Sequence, residues 1–140
     1  MQPARRQGAS LRVFALLGAA LPGLAQPALG ASVEEACAAL LTARVKLLEM
    51  VDSRGKADLK ALKREVYASS ARLEGAVGAL SGADTARAVA FRRVWEAFKR
   101  TREQEILPAV YRGRYDEARS IAYGIQAERY EKMKAALGCQ

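Results

Sequence analysis

Residues 91–133 read FRRVWEAFKRTREQEILPAVYRGRYDEARSIAYGIQAERYEKM. Phe91, Val94, Trp95, Phe98, Ile106 and Val110 recur at the three-to-four-residue interval of one helix face. Gly113 interrupts the pattern. Tyr115-Asp116-Glu117 then opens a second helical run, with its acids in the first turn where the helix dipole favours them. Two long helices joined by so short a turn must lie side by side, so this stretch predicts a helical hairpin.

The residues before it follow the same pattern. From residue 31 onward the chain is rich in Ala, Leu, Arg, Glu and Lys, a helical composition, and it is punctuated at Gly55, Ser81-Gly82-Ala83 and Gly113. Helices are expected over about 33–54, 58–80, 85–111 and 115–137. Ser32 with Glu35 three residues on forms a capping box for the first. Asp58 and Asp84 are candidate N-caps for the second and third. Pro108 should kink or loosen the end of the third. The fourth carries Ala118, Ile121, Ala122, Ile125, Met133 and Leu137 on one stripe and ends near Lys132 and Lys134. Short connections make consecutive helices neighbours, and the expected fold is an all-α, up-down-up-down antiparallel four-helix bundle.

Not all 140 residues belong to that bundle. Arg5, Arg6 and Arg12 precede a short apolar run, Val13 to Leu21, which Pro22 and Gly23 break. Small residues follow, with Ala28 and Gly30 at the −3 and −1 positions of a cleavage site. This is the pattern of a secretory signal peptide over residues 1–30, leaving a bundle domain over 31–140. An uncleaved anchor is the competing reading, but the apolar run falls short of the roughly 20 residues that a spanning helix needs. The expected location is periplasmic or secreted, with no stable membrane insertion after cleavage. Loss of the three leader arginines takes the formal charge from +8 to +5, with acids and bases interleaved, which gives no argument for nucleic acid. Cys37 and Cys139 are the only cysteines. Export to an oxidising compartment favours a disulfide between them over two separate thiols. The bundle topology puts the start of the first helix and the end of the fourth at one end.

The chain has no histidine, which removes the commonest general base and the commonest metal ligand. It also has no Gly-rich phosphate loop and no nucleophile elbow. An enzyme is not expected, nor a metal or cofactor. What remains is polar residues on apolar stripes. Cys37, Leu40, Arg44, Leu47 and Val51 share one spacing, as do Ile125, Arg129 and Met133. Counting residues back from the turns places Arg44, Ser69, Ser70, Glu96 and Arg129 at one mid-height layer. That layer reads either as a structural ion pair of Arg44 or Arg129 with Glu96, or as an anion site. The guanidinium's forked donors suit a carboxylate. The Phe91, Trp95 and Phe98 stripe reads either as core or as an aromatic wall for a ligand.

Residues 85–137 resemble the last two helices of the four-helix-bundle sensory module of bacterial methyl-accepting chemotaxis receptors. The resemblance is carried by Trp95 in its aromatic stripe, Arg102-Glu103, Ile106-Leu107-Pro108 leading to Gly113, Asp116-Glu117-Ala118, and Glu128-Arg129-Tyr130. It extends to the first two helices only as a pattern. It implies a ligand-sensing or partner-binding bundle, often a homodimer, with ligands held by arginines near the first and fourth helices. Arg44 and Arg129 lie on those helices, and no family motif fixes them as contacts. The chain ends at Cys139-Gln140 without a second membrane span or signalling region, so a receptor-like domain set free is expected. The function expected is a secreted, non-enzymatic sensory-type bundle binding a small carboxylate or a signalling partner, with Arg44, Arg129, Ser69 and Glu96 as candidate contacts. The alternative is a structural or chaperone-like interaction protein with no small ligand.

Overall fold

The computed structural model describes residues 32–140. The leader expected over residues 1–30 lies outside the described residues. Among the latter, all regular structure is helical, in four rods that pack on one core. The first is α1, Val33–Asp52, and the second α2, Leu59–Gly78. The third comprises α3, Thr85–Thr101, a π turn at Arg102–Ile106, and α4, Leu107–Tyr111. The fourth comprises α5, Tyr115–Tyr123, and α6, Ile125–Leu137. No described helix is long and apolar enough to cross a membrane.

Local chemistry explains most of the boundaries. Ser32 Oγ accepts from the Glu35 N–H at 3.1 Å, and Asp58 Oδ1 accepts from Ala61 N–H at 3.2 Å, satisfying donors that the first turns leave free. Asp84 was the expected cap of the third rod but makes no capping bond. A 3-10 turn, Gly82–Asp84, leads into α3, and the Asp84 carboxylate lies 3.7 Å from Arg87 Nε instead. Gly113 adopts φ +71°, and the bond from Arg114 N–H to Ala109 O closes the third rod.

Two features depart from smooth helices. The π turn ends two residues before Pro108, which cannot donate a backbone hydrogen bond and whose ring collides with the carbonyl four residues back. Widening the turn accommodates the proline, and Leu107 N–H bonds to Arg102 O. The fourth rod, expected to run unbroken from 115 to 137, divides at Gly124. A Cβ at that position would lie 2.6 Å from Ser120 O. Gly124 O accepts from Ala127 and Glu128 N–H, so α6 starts afresh from this residue.

The core is one cluster. Leu40, Leu47 and Met50 come from α1, Leu73 and Val77 from α2, Phe91, Trp95 and Phe98 from α3, and Met133 and Leu137 from α6. The three aromatic rings stack, with centroids 5.9 and 5.4 Å apart, and Trp95 is 2% exposed. Such pairs contribute about 0.5–1.5 kcal/mol beyond the area they bury. The stripe is therefore core here, and its one polar atom, Trp95 Nε1, donates to Glu74 Oε1 at 2.8 Å. α1 packs on α2, α5 and α6, and α3 packs on α6. Cys37 and Cys139 are disulfide-bonded, with Cα atoms 5.7 Å apart, which joins the N-terminal part of α1 to the residues just past α6.

Candidate functional site

Halfway along the rods the apolar core gives way to polar groups. Ser69 and Ser70 on α2 are buried, and their hydroxyls donate back to Val66 O at 2.9 and 2.8 Å. Such bonds to the preceding turn keep a buried hydroxyl satisfied within its own helix. The Ser70 hydroxyl also accepts from Arg102 Nη1 at 2.7 Å. Arg102 is itself buried, with Nε bonded to Glu103 Oε1 at 2.8 Å and its guanidinium 5.0 Å from the Tyr67 ring centroid. Tyr67 completes this group by donating to Glu103 Oε2 at 2.6 Å. Burial, and then this bond, push the Tyr67 phenol up to about 12.

A second polar group lies between α3 and α6. Gln126 is fully buried and donates from Nε2 to Phe98 O at 2.9 Å. Arg129 Nη1 donates to Thr101 Oγ1 at 2.6 Å and to Gln126 Oε1 at 3.0 Å. Arg129 thus joins α6 to α3 through a hydrogen-bonded network.

Glu96 stands apart from both groups. Its carboxylate is largely exposed and pairs with Lys99 Nζ at 2.9 Å, and Lys99 also holds Glu74 at 2.8 Å. The Lys99 ammonium, ahead of the other contributions, draws the Glu74 carboxyl below its usual range. Between Arg44 and Glu96 there is no ion pair. Arg102 occupies the height for which Glu96 was counted, because residues 79–84 carry α3 on by more than a helical turn, so that Ser70 meets Arg102 and Glu74 meets Trp95. The signal for Arg102 was in the chain: Trp95, Phe98, Arg102 and Ile106 keep the three-to-four spacing, as Arg44 does on α1.

Arg44 differs from every other arginine of the layer. It is 7% exposed, and its Nη1 has no protein acceptor among the described residues. The guanidinium carbon lies 5.9 Å from the Tyr123 ring centroid and 5.8 Å from that of Tyr130. Ring faces attract a cation but do not replace a hydrogen-bond acceptor. Burial lowers the Arg44 pKa from its ordinary value, and the two tyrosines partly offset this. Leaving a buried charged donor unpaired costs about 1–3 kcal/mol or more. An anionic oxygen at Nη1 would recover that cost and add a charge-assisted bond.

Around Arg44 lie two tyrosine rings and the apolar residues of α1 next to it. Tyr123 is 47% exposed and ends α5 just before the Gly124 break. Its hydroxyl donates to Asp52, which also pairs with Arg119, and the Arg119 guanidinium lies 5.1 Å from the same ring. One helical turn either side of Arg44 on α1 are Leu41, 53% exposed, and the partly buried Leu48. Tyr123 and Tyr130 were absent from the sequence-derived site, because nothing in the spacing of α5 or α6 assigns them to α1. No family model, no curated protein and no solved structure matches this chain.

Proposed function

We propose that this protein is a non-catalytic sensory-type bundle of the oxidising space outside the cytoplasm, and that it binds a small organic anion at Arg44. The observation that carries the reading is the buried Arg44 guanidinium with an orphaned Nη1. A charge retained in a core without an acceptor is costly, and a ligand carboxylate supplies the acceptor. Arg129, Ser69 and Glu96 then belong to the scaffold, since Arg129 and Ser69 bond to neighbouring groups in the fold and Glu96 to Lys99.

In this reading the four rods run up-down-up-down as antiparallel neighbours. Asp52 meeting Arg119, Cys37 meeting Cys139, and Arg87 Nη1 donating to Leu137 O support that arrangement. Residues 1–30 act as a secretory leader, and the disulfide fits an oxidising compartment such as the periplasm. The likeness of residues 85–137 to chemotaxis-receptor sensory modules is consistent with a sensing role.

Thermal denaturation of the oxidised protein against small carboxylates tests the proposal, with the matching amides as controls. A ligand at a hundred times its Kd stabilises by about 2.7 kcal/mol, which raises Tm by roughly 10 °C in a domain of this size. Arg44→Met should abolish the rise while keeping the unliganded Tm within a few degrees, because it exchanges an unpaired buried charge for a packed apolar chain. A carboxylate response that survives in Arg44→Met would reject the site.

A further inference from the structure

We infer that the anion held by Arg44 is an amphiphile: a single carboxylate carrying an apolar tail of medium length. This rests on the anion-binding reading and names its ligand class. Nη1 of Arg44 is the one buried donor at this place left without an acceptor, so the site neutralises one charge. Among the described residues, the other cations set over these two tyrosine rings are each held by an acid, Lys134 over Tyr130 by Glu131 at 3.6 Å and Arg119 over Tyr123 by Asp52. Asp52 itself repels anions.

The surface flanking the guanidinium is apolar. Leu41 is 53% exposed, Val45 beside it is also exposed, and Leu48 continues the row one turn beyond Arg44. From Leu41 to Leu48 the row spans about 10 Å along α1, the length of an alkyl chain of roughly eight carbons. The Tyr123 and Tyr130 ring centroids lie 5.9 and 5.8 Å from the Arg44 guanidinium carbon, which shares this stretch of α1. The Tyr123 ring lies 5.9 Å from the guanidinium carbon, and its hydroxyl donates to Asp52. Rotation of that side chain outward opens the guanidinium and bares a tyrosine face for the tail. The headgroup thus binds inward at Arg44, while the tail lies between the leucine row and Tyr123.

Calorimetric titration of the full oxidised chain with acetate, butanoate, hexanoate and octanoate, each below its micellar concentration, provides the test. Succinate and octan-1-ol are the controls. Affinity should rise roughly two- to four-fold for each methylene added, up to octanoate. Succinate and octan-1-ol should bind at least ten-fold more weakly than octanoate. Arg44→Met should lose octanoate binding. Leu41→Ser, at an exposed position that the fold does not need, should flatten the chain-length series and leave acetate unchanged.

A flat series that still depends on Arg44 would overturn the amphiphile and leave the anion site standing. Absence of binding by every carboxylate would overturn both. Octanoate binding that persists in Arg44→Met, matched by octan-1-ol, would mean apolar adsorption and would also reject the inference.

Discussion

Tyr67 and Arg44 occupy the same polar layer yet respond to burial in opposite ways. Tyr67 keeps its proton because burial and the bond to Glu103 disfavour the phenolate, holding its pKa near 12 against an ordinary 10.0. Its contribution to stability is complete below pH 10 and is lost as pH rises through 12, because the unfolded phenol ionises first. Thermal midpoints measured between about pH 9 and 12 should therefore fall with rising pH. Tyr67→Phe should lessen that slope, and an unchanged slope would dissociate the layer from alkaline stability. Arg44, by contrast, remains a cation without an acceptor. The sequence made these residues legible as polar interruptions of apolar stripes, and Arg44 and Arg129 were found that way. It did not say which interruption would be satisfied inside the fold. That depends on partners such as Gln126 and Thr101, placed by helix packing and not by the spacing within one helix.

The helices carry two irregularities, and both bear on where side chains point. The π turn at Arg102–Ile106 begins at the arginine that bonds Ser70, and Gly124 separates the α5 register from that of α6. A single glycine within a strong helical pattern is usually tolerated, so periodicity predicts an unbroken rod. The break rests on one close approach, 2.6 Å between the would-be Cβ and Ser120 O, which no side-chain pattern records. Gly124→Ala should destabilise by about 1–3 kcal/mol, since the clash is with backbone that cannot turn away. Urea denaturation measures this, and a neutral result would show that the rod straightens without cost. Hydrogen-bond register is similarly silent in sequence. Pro108 announced a disturbance, but not that it would be absorbed by a wider turn placed ahead of it.

At the scale of the molecule, four helices and one cross-link follow from composition, punctuation and the placing of two cysteines, all readable before any coordinates. The relative heights of the rods were less legible, because they depend on the path of residues 79–84. The disulfide spans 102 residues, and on the chain-entropy model a loop of that length stabilises by up to about 4–5 kcal/mol. Cys37→Ser with Cys139→Ser should therefore lower Tm by well over about 10 °C. A drop of only a few degrees would mean that helix packing alone carries the fold. The same cross-link sets how the domain bears mechanical load. Cys37 lies five residues after Ser32, and Cys139 immediately before Gln140. Tension applied between those two positions passes through a covalent bond, leaving the helices between them unstretched. An oxidised copy pulled from residues 32 and 140 should lengthen by only a few residues' reach, whereas a reduced one should pay out its whole contour. The bundle would then act as an inextensible link whose compliance is set by the redox state around it.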